Sequence, residues 1–332
     1  MIRKIPKWNL MLLFILLVEI IVFGLINPRF WNISILLGSF NDFIGIALVA
    51  FFVTFVIITG GIDISGGSII GLTSVLAGIL SQVAGLNIWL SVILAIAAGG
   101  LCGLLNGILI AYGRVQAMVI TLGAMLLYSG ISIVIVGLSG VSTYEGISGF
   151  PEAFSSLAYG EVMGIPNSVL LFLVMFFFAY VLLHLTKYGR YIYLTGINQN
   201  AAEYAGIDTR KIIASTYVLS GLSAGVAGVM LTSYLGSARA DFGSEYLMPI
   251  LTAVVLGGTL ITGGKGGVIG TALASIIVGL LQLGLQMGGV STQYIGLATG
   301  LLLIISVAFL GLSSDFKHSV KRILAPKKMG VD

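Results

Sequence analysis

Residues 56–71 read VIITGGIDISGGSIIG, in which glycine pairs at 60–61 and 66–67 interrupt an otherwise apolar stretch. Because glycine is among the least favourable residues in a helix interior, such pairs indicate a break between two helices. The sequence on either side, about residues 40–59 and 67–84, is apolar over close to the length that a membrane-spanning helix needs. The stretch therefore predicts two membrane helices joined at a glycine-rich break.

The rest of the chain has the same apolar character. Of 332 residues, 58% are hydrophobic and 8% are charged, against about 25% charged in an average globular domain. No polar stretch is long enough for a separate soluble domain, so residues 1–332 are interpreted as one transmembrane domain. The predicted fold class is an all-α, polytopic membrane helix bundle of about ten spans with glycine-broken helices. The spans are placed near residues 10–27, 40–59, 67–84, 88–112, 116–138, 167–186, 212–235, 247–262, 267–288 and 293–312.

Basic residues give the expected orientation of these spans. With the N-terminus in the cytoplasm, fourteen of the sixteen Lys and Arg residues fall on the cytoplasmic side, and Arg29 and Arg239 fall outside. Because loops rich in Lys and Arg stay in the cytoplasm, we expect both termini to be cytoplasmic. The same topology places a loop of about residues 139–166 outside the membrane and a loop of about residues 187–211 inside.

Catalytic and cofactor chemistry have little support in the sequence. Cys102 is the single cysteine and lies in an apolar run, and His184 and His318 stand near membrane edges without metal-ligand or triad-like neighbours. Lys265 follows a glycine pair, but the spacing around it does not match the GxxxxGK[ST] pattern of phosphate-binding loops. The net charge of +4 lies in loops between spans, where it sets topology. We therefore expect no enzymatic activity, no cofactor, no metal and no nucleic-acid partner.

The glycine-rich break occurs twice in the sequence. Residues 60–67 and 257–264 share a spacing of two glycines, four other residues and two glycines, and Leu-Gly-Ser precedes both, at 37–39 and 235–237. These matches indicate a duplicated half in parallel orientation. Chance similarity in a chain with 46 glycines is the alternative explanation.

The local chemistry of the first break fits a helix start. Ser65 is placed to cap the following helix, and Asp63 lies near the positive end of that helix, where a carboxylate is stabilised. Broken helices line pathways or gates in transporters, and a simple cytoplasmic turn fits the pattern equally well. The residues predicted to form the gate or helix break are Gly60, Gly61, Asp63, Ser65, Gly263 and Gly264.

Three segments carry a resemblance to a known family. VIITGGIDISGGSIIG (56–71), GINQNAAEYAGID (196–208) and AVVLGGTLITGGKGGVIGT (253–271) are similar to segments of the permeases of ribose- and xylose-type sugar ABC importers. Together with the span order, the likeness covers nearly the whole chain. The fold that it implies is that of an ABC importer permease in the bacterial inner membrane.

Three less generic segments narrow the resemblance. YEGISGFPEAF (144–154), GSARADFG (236–243) and LQLGLQMGGV (281–290) resemble the branch of this family that belongs to autoinducer-2 importers. The implied function is translocation of a small, polar, sugar-like solute, with autoinducer-2 as the expected cargo. A ribose-type sugar is the alternative cargo within the same family.

The resemblance also implies a division of labour among subunits. A periplasmic solute-binding protein would deliver the cargo, this chain and a second permease would form a heterodimeric channel, and two cytoplasmic ABC ATPase subunits would hydrolyse the ATP.

The resemblance implies that the cytoplasmic loop of about residues 187–211 contacts the ATPase. A short helix after Asn198 or Asn200, closed by Gly206, would press its apolar face into a groove on the ATPase; an ordinary cytosolic loop is the alternative. Loops of the family often carry Ser where Tyr204 and Ala205 stand, which leaves the register of the contact open. The predicted ATPase-coupling residues are Asn200, Ala201, Ala202, Glu203, Gly206 and Ile207.

Polar side chains within the spans are candidates for the translocation pathway. Glu19 is the only carboxylate deep in a predicted span, and Gln282 and Gln286 share one helix face at a spacing of four residues. Hydrogen bonding between neighbouring helices is the alternative role for each of them. The pathway candidates are Glu19, Asn106, Gln282 and Gln286.

Arg239, Asp241 and Glu245 lie in a predicted outer loop. They would dock the binding protein by complementary charge, and a solvated loop is the alternative.

Two other classes of membrane protein compete with the importer. An ion-gradient-driven secondary transporter usually embeds several ionisable residues, whereas here Glu19 is almost alone at depth. A non-transporting membrane scaffold needs neither broken helices nor a coupling loop.

Overall fold

The computed structural model describes residues 7–140, 146–291 and 293–308. Both chain termini, whose cytoplasmic location was predicted, lie outside these residues, as do Tyr144 and Glu145. The α-helices are α1 (Lys7–Ile26), α2 (Ile33–Gly38), α3 (Phe40–Ile58), α4 (Gly66–Gly78), α5 (Ile88–Ala111), α6 (Ala117–Leu138), α7 (Glu152–Tyr159), α8 (Asn167–Tyr180), α9 (Lys187–Ile197), α10 (Gln199–Tyr204), α11 (Thr209–Leu235), α12 (Leu247–Leu256), α13 (Val268–Met287) and α14 (Gln293–Ala308).

Short irregular elements complete the described chain. π-Helical turns at Ile79–Val83 and Val181–Leu185 extend α4 and α8. In the predicted outer loop, α7 is followed by a two-stranded antiparallel hairpin of β1 (Glu161–Val162) and β2 (Ile165–Pro166).

Eight helices in the described residues are long and apolar enough to cross a membrane: α1, α3, α4 with its extension, α5, α6, α8 with its extension, α11 and α13. The prediction of an all-α membrane bundle is thus confirmed. The predicted spans at 247–262 and 293–312 correspond to the shorter apolar helices α12 and α14. α12 has 10 residues, which is about 15 Å, or half of the roughly 30 Å hydrocarbon core. It stops at Leu256 because Gly257 and Gly258 follow, with Gly258 at φ +90°.

Helix α3 lies at the centre of the bundle. Its spanning window is 94% buried and it packs against α11, α13, α12 and α8, as expected of a helix that is apolar on all sides. α1, α5, α6 and α8 are 28% buried or less and turn large apolar side chains outward. This is the distribution that a lipid-embedded bundle requires.

Glycines bring α5 and α11 into close antiparallel contact. A Cβ at Gly107 would lie 2.6 Å from the Ala214 carbonyl oxygen, and a Cβ at Gly225 would lie 2.9 Å from Ile96 Cα. Small residues at such a spacing let helix backbones approach in lipid. Since α5 and α11 run antiparallel, Arg114 and Lys211 lie at the same end of the bundle, which we call the basic end. The opposite end, where Asp42 meets Tyr234, is called the acidic end.

Residues 236–246, which the sequence predicts as an outer loop, are irregular and fold back along the bundle. α11 ends at Gly236, which has φ +63°, and Ala238 forms an antiparallel bridge with Ile147. The chain then folds back along α4, where the carbonyl oxygens of Ala240 and Gly243 pack against Gly71 and Gly67. We call residues 236–246 the re-entrant segment, because it carries the chain from the acidic end towards the start of α12 inside the bundle.

The helix ends at the two glycine-rich breaks are structural equivalents, but Gly258 takes the place of Gly60, one residue later than the glycine spacing predicts. At the end of α3, Gly60 N donates to Ile57 O and Gly61 N to Val56 O; at the end of α12, Gly258 N donates to Val255 O and Thr259 N to Val254 O. Both pairs form the same helix-terminating motif around a left-handed glycine. Because α3 and α12 run in the same direction and each is followed by a helix that returns, the structure supports a parallel repeat.

Candidate functional site

The first break carries the chain into the interior of the bundle. Asp63 lies in the non-helical stretch between α3 and α4 and is 2% exposed. Its Oδ1 accepts hydrogen bonds from Ser65 N at 3.0 Å and Ser65 Oγ at 2.7 Å, and its Oδ2 accepts one from Ser220 Oγ at 2.7 Å. Since Ser220 is near the middle of α11, Asp63 lies well inside the bundle and not on a cytoplasmic turn.

The hydrogen bonds continue from Ser65 to two further helices. Asn106 Nδ2 on α5 donates to Ser65 Oγ at 2.8 Å, and the Tyr128 hydroxyl on α6 lies 2.9 Å from Asn106 Oδ1. We call Asp63, Ser65, Asn106, Tyr128 and Ser220 the Asp63 hub. It ties α4, α5, α6 and α11 together at the helix break.

The structure changes two predictions, one for the capping role of Ser65 and one for the pathway role of Asn106. Ser65 occupies the N-cap position of α4, but its side chain makes no capping hydrogen bond, because its hydroxyl donates to Asp63. The side chain that meets the start of α4 is that of Asp63, which accepts from Ser65 N. Asn106, a pathway candidate, has both ends of its amide engaged in the hub.

The second break meets the first at the basic end. Gly264 N donates to Ile58 O at 2.8 Å, and Gly263 packs against Gly60. Gly196, at the end of α9, packs against Ile58 O and Gly264 N. We call Gly60, Gly196, Gly263 and Gly264 the glycine junction. It brings the predicted cytoplasmic loop into direct contact with both helix breaks.

The loop of residues 187–211 is a pair of short capped helices. Asn198 Oδ1 accepts from Ala201 N at 2.9 Å and so begins α10, and Gly206, at φ +82°, ends it. The predicted short helix after Asn198 is therefore confirmed. Ala202 is 4% exposed and faces its own chain, whereas Tyr204 is 93% exposed. The prediction that Ala202 belongs to an outward apolar face was wrong, because that alanine packs inward.

A carboxylate stabilises this loop. Glu203 Oε1 accepts hydrogen bonds from Thr209 Oγ1 and from Gln199 Nε2. These bonds, the Thr209 bond first, lower the pKa of Glu203 below its ordinary value. Thr209 begins α11, so Glu203 joins α10 to a membrane-spanning helix. Of the remaining predicted coupling residues, Asn200 and Ala201 are exposed and Ile207 is half-buried.

A cavity of about 530 Å³, which we call cavity A, opens at the acidic end among α3, α11, α12, α13 and α14. Its walls include the predicted residues Gln282, Gln286 and Glu245. Tyr234 donates a hydrogen bond to Asp42 Oδ1 at 2.6 Å on another wall. Its hydrogen-bonding side chains include Asp42, Tyr234, Glu245, Gln282, Gln286 and Thr299.

A second cavity of about 460 Å³, cavity B, lies between α4, α6 and the re-entrant segment. Arg239 and Asp241 line it and form a two-point ion pair, with Nε to Oδ1 at 2.9 Å and Nη2 to Oδ2 at 2.7 Å. Ser244 lines both cavities, so the re-entrant segment separates them. Arg239, Asp241 and Glu245 are thus divided between two cavities.

Glu19 is buried on α1, the helix that packs against α13, and is 9% exposed. Neither of its carboxylate oxygens has a hydrogen-bond partner within the described part of the chain. It lines neither cavity A nor cavity B. The structure therefore separates Glu19 from Gln282 and Gln286.

Sequence reasoning missed Ser220, Tyr128, Asp42 and Tyr234. For Ser220 the sequence contains one signal, since the polar residues Thr216, Ser220 and Ser223 recur along the otherwise apolar α11 at helical spacing. Nothing local distinguishes Ser220, which bonds Asp63, from Ser223, which bonds only the Ser220 carbonyl of its own helix. Among the residues searched, no cluster of three His, Cys, Asp or Glu side chains is arranged to hold a metal ion.

A multi-span helical bundle with two broken helices, cavities that contain polar side chains and a capped helical loop at the basic end has the architecture of a membrane permease. The family comparison agrees, since the model described as "Branched-chain amino acid transport system / permease component" matches residues 35–307. The chain belongs to this permease family.

Two similar curated relatives carry the same name. The protein named "Autoinducer 2 import system permease protein LsrD" of Salmonella typhimurium (strain LT2) is 45% identical over 301 residues, which cover 91% of this chain and 90% of the relative. The protein of the same name from Escherichia coli (strain K12) is 45% identical over 318 residues, 96% of each chain. The resemblance to importer permeases is thereby confirmed. No solved structure matches the chain.

Proposed function

We propose that this chain is the permease subunit of a binding-protein-dependent ABC importer that moves a small, polar, sugar-like solute, autoinducer-2, across the bacterial inner membrane. The observation that carries the proposal is the 45% identity to autoinducer-2 import permeases over more than nine-tenths of both chains. The whole chain acts as one transmembrane domain, with the basic end and both termini in the cytoplasm.

ATP hydrolysis belongs to two separate ABC ATPase subunits. The loop of residues 187–211 is the surface on which an ATPase presses, through α10 and its neighbours. Because Gly196 of this loop touches both helix breaks in the glycine junction, a shift of the loop moves the end of α3 and the segment that leads into α13. The close backbone contacts leave no slack for the loop to move alone.

The acidic end receives the solute. A periplasmic binding protein docks there, with Arg239, Asp241 and Glu245 as charged groups near its edge, and a second permease completes the channel. Cavities A and B lie on the two sides of the re-entrant segment, so a shift of that segment changes access to both.

Uptake in membrane vesicles from the source organism tests this function. We expect ATP-dependent uptake of autoinducer-2 to disappear when the chain is deleted and to return when the chain is supplied. Loss of D-ribose uptake alone would indicate the ribose-type alternative and overturn the cargo. Uptake that persists without ATP and follows the proton gradient would overturn the importer.

A further inference from the structure

Cavity A has the size and position of a solute site. Its volume of about 530 Å³ falls within the range of roughly 300 to 1,000 Å³ that is typical of small-molecule pockets. It is walled by five helices from different parts of the chain and opens at the acidic end, where the solute would arrive.

The chemistry of the cavity selects the kind of solute. Asp42 and Glu245 supply carboxylates, and Gln282 and Gln286 supply amides that both donate and accept. None of the described residues lining the cavity is Lys, Arg or His, so an anion would find no counter-charge. Carboxylates and amides together match the hydroxyl groups of a neutral polyol, and Ile46 and Leu231 supply apolar wall for its C–H faces.

The amides of the cavity are uncommitted, in contrast to other polar groups of the bundle. Gln282 and Gln286 stand one turn apart on α13, and their side chains make no hydrogen bond within the described part of the chain. On the same helix, Thr271 and Ser275 bond to neighbouring backbone carbonyls. Gln282 is half-buried and Gln286 is exposed, so both amides are free to hydrogen-bond a ligand that enters the open cavity.

The carboxylate of Asp42 is held in place for such a ligand. Tyr234 OH donates to its Oδ1 at 2.6 Å from the end of α11. Side chains whose positions are fixed by a second contact lose less entropy on binding. The site thus combines one oriented carboxylate with two free amides.

From this arrangement we infer that cavity A binds a neutral, polyhydroxylated solute of sugar size on its way through the permease, with Gln282, Gln286, Glu245 and Asp42 as hydrogen-bonding groups. The inference rests on the proposed function, and it adds the site and the chemical class of ligand.

Thiol protection in the assembled importer tests the inference. Gln286→Cys is introduced in a Cys102→Ala background, and labelling by a membrane-impermeant maleimide is measured with the binding protein always present and with or without autoinducer-2. We expect the solute to slow labelling at position 286 by at least about fivefold. Gln82→Cys, at the same end but in neither cavity, should label at the same rate with and without solute. Equal rates at position 286 would overturn the site.

Uptake kinetics give an independent test. Gln282→Leu with Gln286→Leu should raise the KM for uptake roughly tenfold, with unchanged amounts of complex in the membrane, and Gln282→Asn should have a smaller effect. Gln82→Leu is the matched control. Kinetics equal to this control, or a loss of maximal rate without a change in KM, would overturn the inference. If the wild-type importer takes up no autoinducer-2, the proposed function fails instead, before any variant is compared.

Discussion

The carboxylate of Asp63 and the hydroxyl of Ser220 lie 2.7 Å apart, although 157 residues separate them in the chain. The hydrogen bond joins the break between α3 and α4 to the middle of α11. It satisfies one oxygen of a carboxylate that is fully enclosed by protein. Removing the donor would therefore leave a buried polar oxygen without a partner.

We expect Ser220→Ala to destabilise the protein by about 1 to 3 kcal/mol, the usual cost of an unsatisfied buried acceptor. The midpoint of thermal unfolding of the purified complex measures this. Ser223→Ala is the matched control, because Ser223 is equally buried but bonds only a carbonyl of its own helix. Equal midpoints for the two variants would contradict the importance of the Asp63 hub.

Gly196→Ala should disrupt the glycine junction. A Cβ at this position would collide with Ile58 O and come within 2.8 Å of Gly264 N, and both are backbone atoms that a side-chain rotation cannot move. We expect uptake to be lost while the protein still inserts in the membrane. Gly123→Ala on α6, where nothing lies within 4 Å of the new Cβ, should retain uptake. Normal uptake by Gly196→Ala would show that transport does not require the close backbone contacts of the glycine junction.

Tyr204→Ala should weaken binding of the ATPase without disturbing the fold. The side chain is 93% exposed, and substitutions at such positions usually change stability by less than about 0.5 kcal/mol. Co-purification of the ATPase subunit and its stimulation by solute would measure the effect. Met163→Ala, 98% exposed in the hairpin at the other end of the bundle, is the control. Ala202→Glu, in contrast, should unfold α10, because that residue is buried within its own chain.

The loop should loosen at acidic pH because of Glu203. Its pKa is lower in the folded loop than its ordinary value of 4.5, so its stabilising effect is complete above that value and is lost as the pH falls through the folded pKa. The protection of the amides in residues 199–209 against hydrogen exchange, relative to their intrinsic rates at each pH, should therefore fall as the medium is acidified below the ordinary pKa. Glu203→Gln should remove this loss of protection. An unchanged profile in the variant would assign the effect to another group.

Glu19→Gln should retain uptake and raise or preserve thermal stability. The carboxylate is buried without a hydrogen-bond partner within the described residues and lines neither cavity, and a neutral amide of the same shape costs less to bury than a charge. Solute uptake and the unfolding midpoint are the measurements. A specific loss of uptake at normal stability would restore Glu19 to the pathway, as the sequence alone suggested.

The positions of the spans and breaks were predictable because they depend on local properties. Hydropathy located α3, α5 and α6 to within a few residues, paired glycines marked both breaks, and Asn198 and Gly206 bounded α10 through side-chain capping and a left-handed backbone. None of these features needs a distant partner, so each can be read along the chain.

The path of the re-entrant segment was not predictable, for a tertiary reason. Its charges and turn residues suggest an outer loop, but Gly67 and Gly71 on α4 open a groove into which the backbone of Ala240 and Gly243 fits. The sequence around residue 240 does not show that a groove lined by glycines of α4 will receive it. The same limit applies to Ala202, whose inward orientation depends on how α10 sits against its neighbours.

The sequence by itself determined that this protein is a multi-span helical membrane protein with two glycine-rich helix breaks, because apolar length and glycine content act within each segment. Only the tertiary structure decided that Asp63 enters the bundle to meet Ser220, that Gly196 touches both breaks, and that Gln282 and Gln286 face a cavity with Asp42. In lipid, apolar surfaces do not choose between neighbouring helices. Close glycine contacts and hydrogen bonds make that choice, and both require the partner helix to be in place.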